Sequence, residues 1–152
     1  MLVNHSIPPE ERAMFYCACV RPPLLYAVET WELTERLEGL LASCDQRMFI
    51  YMSRVRWKDK ITNKEVRRRC GVENLEIRLR KMRLRWFGHV KRRDENSKLW
   101  RAMELEVESK RPLGRPKKIW SKVVKEDMKL NITEDMEEDR KTWRQLISRP
   151  TN

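Results

Sequence analysis

Residues 75–90 read Leu75-Glu76-Ile77-Arg78-Leu79-Arg80-Lys81-Met82-Arg83-Leu84-Arg85-Trp86-Phe87-Gly88-His89-Val90. Placed on a 3.6-residue wheel, Leu75, Leu79, Met82, Trp86 and Val90 share one face, while Ile77 and Leu84 fall nearly opposite. A helix with two apolar lines packs on both sides and is central to its domain. This spacing predicts a helix from Leu75 to about Arg92, capped by Asn74. Trp86 reads as core. The flanks are cationic: Arg78, Lys81, Arg85 and Arg92 on one side near Gly88, Arg80, Arg83 and Lys91 on the other. With the apolar lines buried, both cation rows emerge as ribbons.

Upstream, Thr62-Asn63-Lys64-Glu65 has the form of a capping box, with Thr62 as cap and Glu65 reaching back. The helix it opens carries Arg67, Arg68 and Arg69, runs to Cys70 and stops at Gly71. The pair 62–70 and 75–92 has the outline of a helix-turn-helix, a signal that most helical domains share. Thr34 caps another helix. In it Leu37, Leu40, Leu41, Cys44, Met48, Tyr51, Met52 and Val55 form an apolar stripe, with Cys44 as a small buried hydrophobe. Nearer the start, Pro8 and Pro9 open a helix from Glu10 to Arg21 that Pro22 and Pro23 end. Leu24 to Trp31 reads as a short second helix. Downstream, Leu99 to about Val107, Ile119 to Leu130 and residues 134–148 read as helices. Trp120, Val123, Val124 and Met128 point inward on the second of these, and Met136, Trp143, Leu146 and Ile147 on the third.

The fold class is therefore all-α: an irregular multi-helix domain with a central basic helix and a Pro/Lys-rich connector. The organisation expected is a helical segment 1–31, a basic helical domain 32–108, a linker 109–118 and a C-terminal helical pair 119–152. With 152 residues and 40% hydrophobic composition, a core needs no disulfides or metal. Only four glycines argue against a strand-rich fold. No apolar run approaches the ~18 residues of a membrane span. The first 16 residues lack the apolar centre of a signal peptide. Cys17, Cys19, Cys44 and Cys70 lie unevenly spaced among apolar residues, which fits reduced thiols and an intracellular setting, nucleus or cytoplasm unresolved.

Net charge is +11, and its distribution is uneven. Residues 54–93 hold 16 basic and 4 acidic side chains, while the other segments nearly cancel. Concentration of this kind marks an electrostatic surface for a polyanion, RNA or DNA first, an acidic protein second. A solvated charged face is the plain alternative. The candidate phosphate contacts are Arg67, Arg68, Arg69, Arg78, Lys81, Arg85 and Arg92, with Trp57 as a stacking group. Arg115, Lys117 and Lys118 add cations from the linker, where Gly114-Arg115-Pro116 resembles an AT-hook core. Leu113 stands where that motif carries a basic residue, so a helix-opening Pro116 in a basic linker is the competing reading.

Metal and cofactor sites are not expected. No Cys/His set has zinc spacing. Glu134, Asp135, Glu137, Glu138 and Asp139 read as a solvated helix start favoured by the dipole, not as metal-binding carboxylates. There is no phosphate-binding glycine loop and no nucleophile elbow.

Three landmarks occur in order: Leu24-Leu25-Tyr26-Ala27-Val28-Glu29-Thr30-Trp31; Leu84-Arg85-Trp86-Phe87-Gly88-His89-Val90; and Gly114-Arg115-Pro116-Lys117-Lys118-x-Trp120, followed by Glu126-Asp127 and Asp139-Arg140-x-x-Trp143. The stretch around Trp57 and Asp59, before Thr62-Asn63, fits as well. This ordered set resembles the C-terminal region of non-LTR (LINE-like) retrotransposon reverse transcriptases, from about Arg12 to Arg149. The resemblance implies a thumb end over residues 10–31 and a helical C-terminal extension beyond it, a region implicated in holding the element's RNA or target DNA. In that family the metal-binding aspartates precede this region in a Tyr-x-Asp-Asp loop, which is missing from this sequence. The chain is thus expected to bind nucleic acid without catalysing polymerisation. A helical protein-interaction module and an inert truncated relic are the alternatives. Ala27 departs from the family, which usually has glycine there.

Overall fold

The structure, a computed structural model, describes residues 2, 4, 6–105, 119–128 and 139–148. The described residues are all-α, with no strand among them. They divide into two compact units, one of residues 1–28 and 33–79, the other of residues 29–32 and 80–152. These bounds differ from the expected 1–31 and 32–108 segments. The linker 109–118 lies outside the described residues, as do Arg115, Lys117 and Lys118.

In the first unit, α1 (Pro9–Phe15) starts on a proline, whose missing N–H costs nothing in a first turn. It passes into a π-helical turn, Tyr16–Val20, closed by the Arg21 N–H donating to the Tyr16 carbonyl. Helix α2 (Arg21–Leu24) follows without a break. Pro22 and Pro23 therefore do not end the helix, as the sequence suggests; they occupy the first turn of a new one, where proline is tolerated. The expected helix 24–31 is reduced to a 3₁₀ turn, Val28–Thr30. Before it, Ala27 sits at φ 56°, a left-handed backbone that favours glycine because it crowds a Cβ.

Helix α3 (Glu35–Met52) begins at Thr34, whose Oγ1 accepts from the Leu37 N–H at 3.3 Å. Its buried side coincides with the apolar stripe only at its C-terminal end, where Met52 is buried and Met48 and Val55 pack against the core. Asp45, Gln46, Phe49 and Met52 are buried, while Leu37, Leu40 and Tyr51 are about half exposed, and Cys44 is exposed. The true face runs through 45, 49 and 52, one residue beyond the line 44, 48 and 51, which is a rotation of about 100°. Polar groups decide the orientation. Asp45 accepts from Arg21 Nη2 at 2.7 Å and from the Tyr16 hydroxyl at 3.1 Å. The Arg21 guanidinium also lies 5.6 Å from the Phe49 ring centre. In an α-helix, Tyr16 and Arg21 would stand about 140° apart; the wider π turn brings both onto one carboxylate. Around this pair Ala13, Tyr16, Phe49, Met52, Val66 and Cys70 form the core.

Helix α4 (Asn63–Arg69) starts at Thr62, which accepts from the Glu65 N–H. Glu65 does not complete the box. Its carboxylate accepts instead from Arg68 (2.7 Å) and Arg69 (3.0 Å). The helix ends in a Schellman motif: Gly71 at φ 64° donates to Arg68, and Val72 to Arg67. Hydrogen bonds from Arg68, then Arg69, hold the Glu65 carboxyl at about 2, well below its ordinary 4.5. A depressed folded-state value gives stabilisation that is complete above 4.5 and is lost as pH falls towards 2. An NMR titration of the Glu65 side chain is expected to show a midpoint near 2. A midpoint at 4.5 would mean that the two arginines do not hold it.

Helix α5 (Leu75–Lys91) runs as the sequence predicts. Asn74 opens it through its backbone carbonyl, which accepts from Arg78 N, while its side-chain amide donates to Glu76 Oε2. Leu75 and Leu79 belong to the first unit, and the helix from Arg80 onward to the second. There it is joined by α6 (Lys98–Glu104), capped by Ser97, α7 (Trp120–Met128) and α8 (Arg140–Ser148), capped by Asp139. Leu84, Val124, Met128, Trp143 and Ile147 form this unit's core, with Phe87 and Trp120 against it. The Trp143 indole donates to the Leu84 carbonyl at 3.0 Å. Its ring lies where a Cβ on Gly88 would come within 2.8 Å of Cδ1 and Cε2. Glycine at 88 is thus a docking surface for tryptophan. Trp120 donates to the Glu29 carbonyl at 2.8 Å. Of the expected inward faces of the last two helices, Met136 lies outside the described residues.

One cation row is not a solvent ribbon. Arg83 is buried and bonds both carboxylate oxygens of Asp127, at 2.8 and 3.3 Å. Arg80 donates twice to the Asp127 carbonyl, at 3.2 and 3.0 Å. Both satisfy the C-terminal end of α7, where cations are favoured by the helix dipole. The third member, Lys91, places its ammonium 5.4 Å from the Trp100 ring centre.

Candidate functional site

The second unit carries a groove of about 660 Å³ between α5 and α8. Helix α5 contributes Arg85, Trp86 and His89, and the turn after it Arg92 and Arg93. Helix α8 contributes Arg140 and Arg144, spaced by one turn on the same side of the helix. The floor is apolar, from Met82, Trp143 and Ile147. Gly88 controls this geometry from beneath, because the close approach of Trp143 seats α8 on α5.

Trp86 is only partly buried, not the core residue the wheel suggests. Its ring stacks on His89, with centres 5.5 Å apart and planes at 26°. The Arg93 Nη2 lies 3.4 Å from His89 Nε2. Arg85, Arg140 and Arg144 are exposed and have no ion pair among the described residues. Five guanidinium groups around an aromatic stack form a site for an anion with a planar part. Among the described residues, one acidic residue shares the groove. Glu29 lines it, and Glu29 Oε2 is buried with no hydrogen-bond partner.

Of the residues expected to contact phosphate, the structure gathers Arg85 and Arg92 here. Arg68 and Arg69 are engaged with Glu65. Arg67 donates to Gln46 Oε1 at 2.8 Å and lines a separate polar cavity of about 430 Å³ in the first unit. Arg78 lies 4.0 Å from Glu73, and Lys81 is partly buried; neither lines the groove. Trp57 is 86% exposed, with the Lys58 ammonium 5.8 Å from its ring centre. Sequence reasoning misses Glu29, His89, Arg93, Arg140 and Arg144. The i, i+4 spacing of Arg140 and Arg144 flanking Trp143 is the one local signal for them.

Cys70 is buried, and its thiol is 3.1 Å from Ser53 Oγ. Burial pushes its pKa up, which makes it an unreactive thiol. Among the described residues no group of His, Cys, Asp and Glu is arranged to hold a metal ion, and no helix is long and apolar enough to cross a membrane. No family model matches the chain, and no curated protein or solved structure matches it either.

Proposed function

We propose that this chain is a nucleic-acid-binding segment that holds RNA or DNA through the groove between α5 and α8, and that it acts by holding a strand, not by transforming it. The observation that carries this reading is the ring of five arginines around the Trp86–His89 stack, three of them without an ion pair among the described residues. Guanidinium groups contact phosphates without reading sequence, and an aromatic stack accepts any base face. The same reading places the chain with the C-terminal regions of LINE-like reverse transcriptases. Two features support that placement. Leu84, Gly88 and Trp143, which belong to two of the landmarks, meet in one packing unit. Ala27, where that family has glycine, adopts a backbone that glycine favours.

The test is fluorescence anisotropy with a structured RNA, a DNA duplex and a single strand across a salt series. Replacing Arg85, Arg140 and Arg144 by alanine is expected to weaken binding at least tenfold and to flatten the slope of log K against log salt by about 2, near 0.7 per lost contact on a single strand. Unchanged affinity and slope would overturn the assignment. A second reading, a protein-interaction module, is favoured by the half-exposed Leu37, Leu40 and Tyr51 of α3. It predicts concentration-dependent mass in nuclease-treated samples and no response to the triple substitution.

A further inference from the structure

We infer that the α5–α8 groove selects guanine in a single strand, with Glu29 as the specificity-determining residue; the inference rests on the nucleic-acid reading and names the base that fits it. The starting point is the Glu29 carboxylate. An acceptor buried without a donor is rare, because its desolvation is uncompensated. Glu29 belongs to the second unit, and its backbone carbonyl is fixed by Trp120. Among the described residues lining the groove it is the one acidic residue beside five arginines, yet Oε2 bonds none of them. A site built only for phosphate has no use for a carboxylate, which repels that ligand. A site built for a base with adjacent donors does.

Guanine is the base that presents two neighbouring donors, N1–H and the N2 amino group, on its Watson–Crick edge. A carboxylate can accept both. Uracil offers one N–H flanked by two carbonyls, which a carboxylate repels. Adenine and cytosine place a ring-nitrogen acceptor beside their single amino donor. The opposite edge of guanine carries O6 and N7, both acceptors, and arginine is the side chain that pairs them. The His89 ring is exposed and backed by Trp86, so a base can extend the stack. A carboxylate, arginines and an aromatic platform therefore match the edges and the face of one base. The requirement for access to the Watson–Crick edge restricts the ligand to unpaired guanine.

The experiment compares a fluorescein-labelled oligouridine with the same oligomer carrying one central guanosine, and with inosine in that place. The wild-type chain is expected to bind the guanosine oligomer on the order of tenfold more tightly than oligouridine. Inosine, which lacks the N2 amino group, should fall between them. Glu29→Gln should abolish the preference while strengthening binding to oligouridine, because a negative charge leaves the groove. A purely structural role for Glu29 would lower the melting temperature of the variant and leave the guanosine-to-uridine ratio where it was. His89→Ala should weaken both oligomers without changing their ratio. Salt-dependent binding with equal affinity for all oligomers would overturn guanine selection and leave the nucleic-acid reading standing. Absence of binding to every oligomer and to the structured RNA and duplex would overturn both.

Discussion

Replacing Asp45 by alanine is expected to destabilise the first unit by about 3–5 kcal/mol, the cost of leaving a buried charge without its partner. Arg21 and Asp45 are almost fully removed from solvent, at 2% and 4% side-chain exposure. The Tyr16 hydroxyl supplies a second bond to the carboxylate. Burial, and then the Asp45 charge, pushes the Tyr16 phenol well above its ordinary 10, so it remains a donor at every working pH. With alanine at 45, the Arg21 guanidinium keeps only its place over Phe49 and a 3.7 Å contact to Cys17 Sγ. Asp45→Asn retains an acceptor but loses the charge, so it should cost less than alanine. Hydrogen exchange over residues 9–24 and 35–52 is the direct measurement, since Trp57 is exposed and reports poorly on this unit. Protection unchanged by Asp45→Ala would mean that the pair is solvated in solution and does not orient α3.

Trp143→Ala should cost the second unit about 3–5 kcal/mol, as for other large aromatic truncations in a core. Its indole fills the space over Gly88 and donates to the Leu84 carbonyl. Gly88→Ala offers the sharper test because two effects of opposite sign compete. Alanine in a helix interior is favoured over glycine by about 1 kcal/mol. Here the added methyl collides with a buried ring, an overpacking penalty of about 1–3 kcal/mol. The collision is with the body of an indole held by its own hydrogen bond, so we expect the penalty to win. In the Trp143→Ala background the collision is gone, and Gly88→Ala should become stabilising. Denaturation followed by the fluorescence of the remaining tryptophans of this unit closes the cycle. Additive effects would show that Trp143 does not sit on Gly88.

The all-α class was legible because it rests on local signals: capping at Thr34 and Thr62, the Gly71 stop and the double-faced wheel of 75–90. The errors came where a distant partner decides. Hydrophobicity alone defines the α3 stripe, yet the helix turns to bury Asp45, because Tyr16 and Arg21, far back in the chain, compensate its charge. Arg80 and Arg83 carry the same charge as Arg85, and the distant Asp127 draws them away from the surface. The groove itself needs α8, more than forty residues beyond α5. Five arginines spread over two helices and the turn after the first have no common spacing to detect. Glu29, in a short turn with no charged neighbour pattern around it, gives no sign in one dimension that it belongs with them.

The π turn at Tyr16–Val20 has a consequence for ancestry. A five-residue closure holds one residue more than an α turn, as a single insertion into an ordinary helix would leave behind. Such an insertion shifts everything after it by a quarter turn or more and is lost unless the displaced side chain finds a use. Here the side chain that the π turn carries round is Arg21, and it pairs with Asp45. Positions 16, 21 and 45 then form one interacting unit. A descendant or ancestor shorter by one residue between 16 and 21 would have no reason to keep an acid at 45, and a gap in the first place should travel with a change in the second.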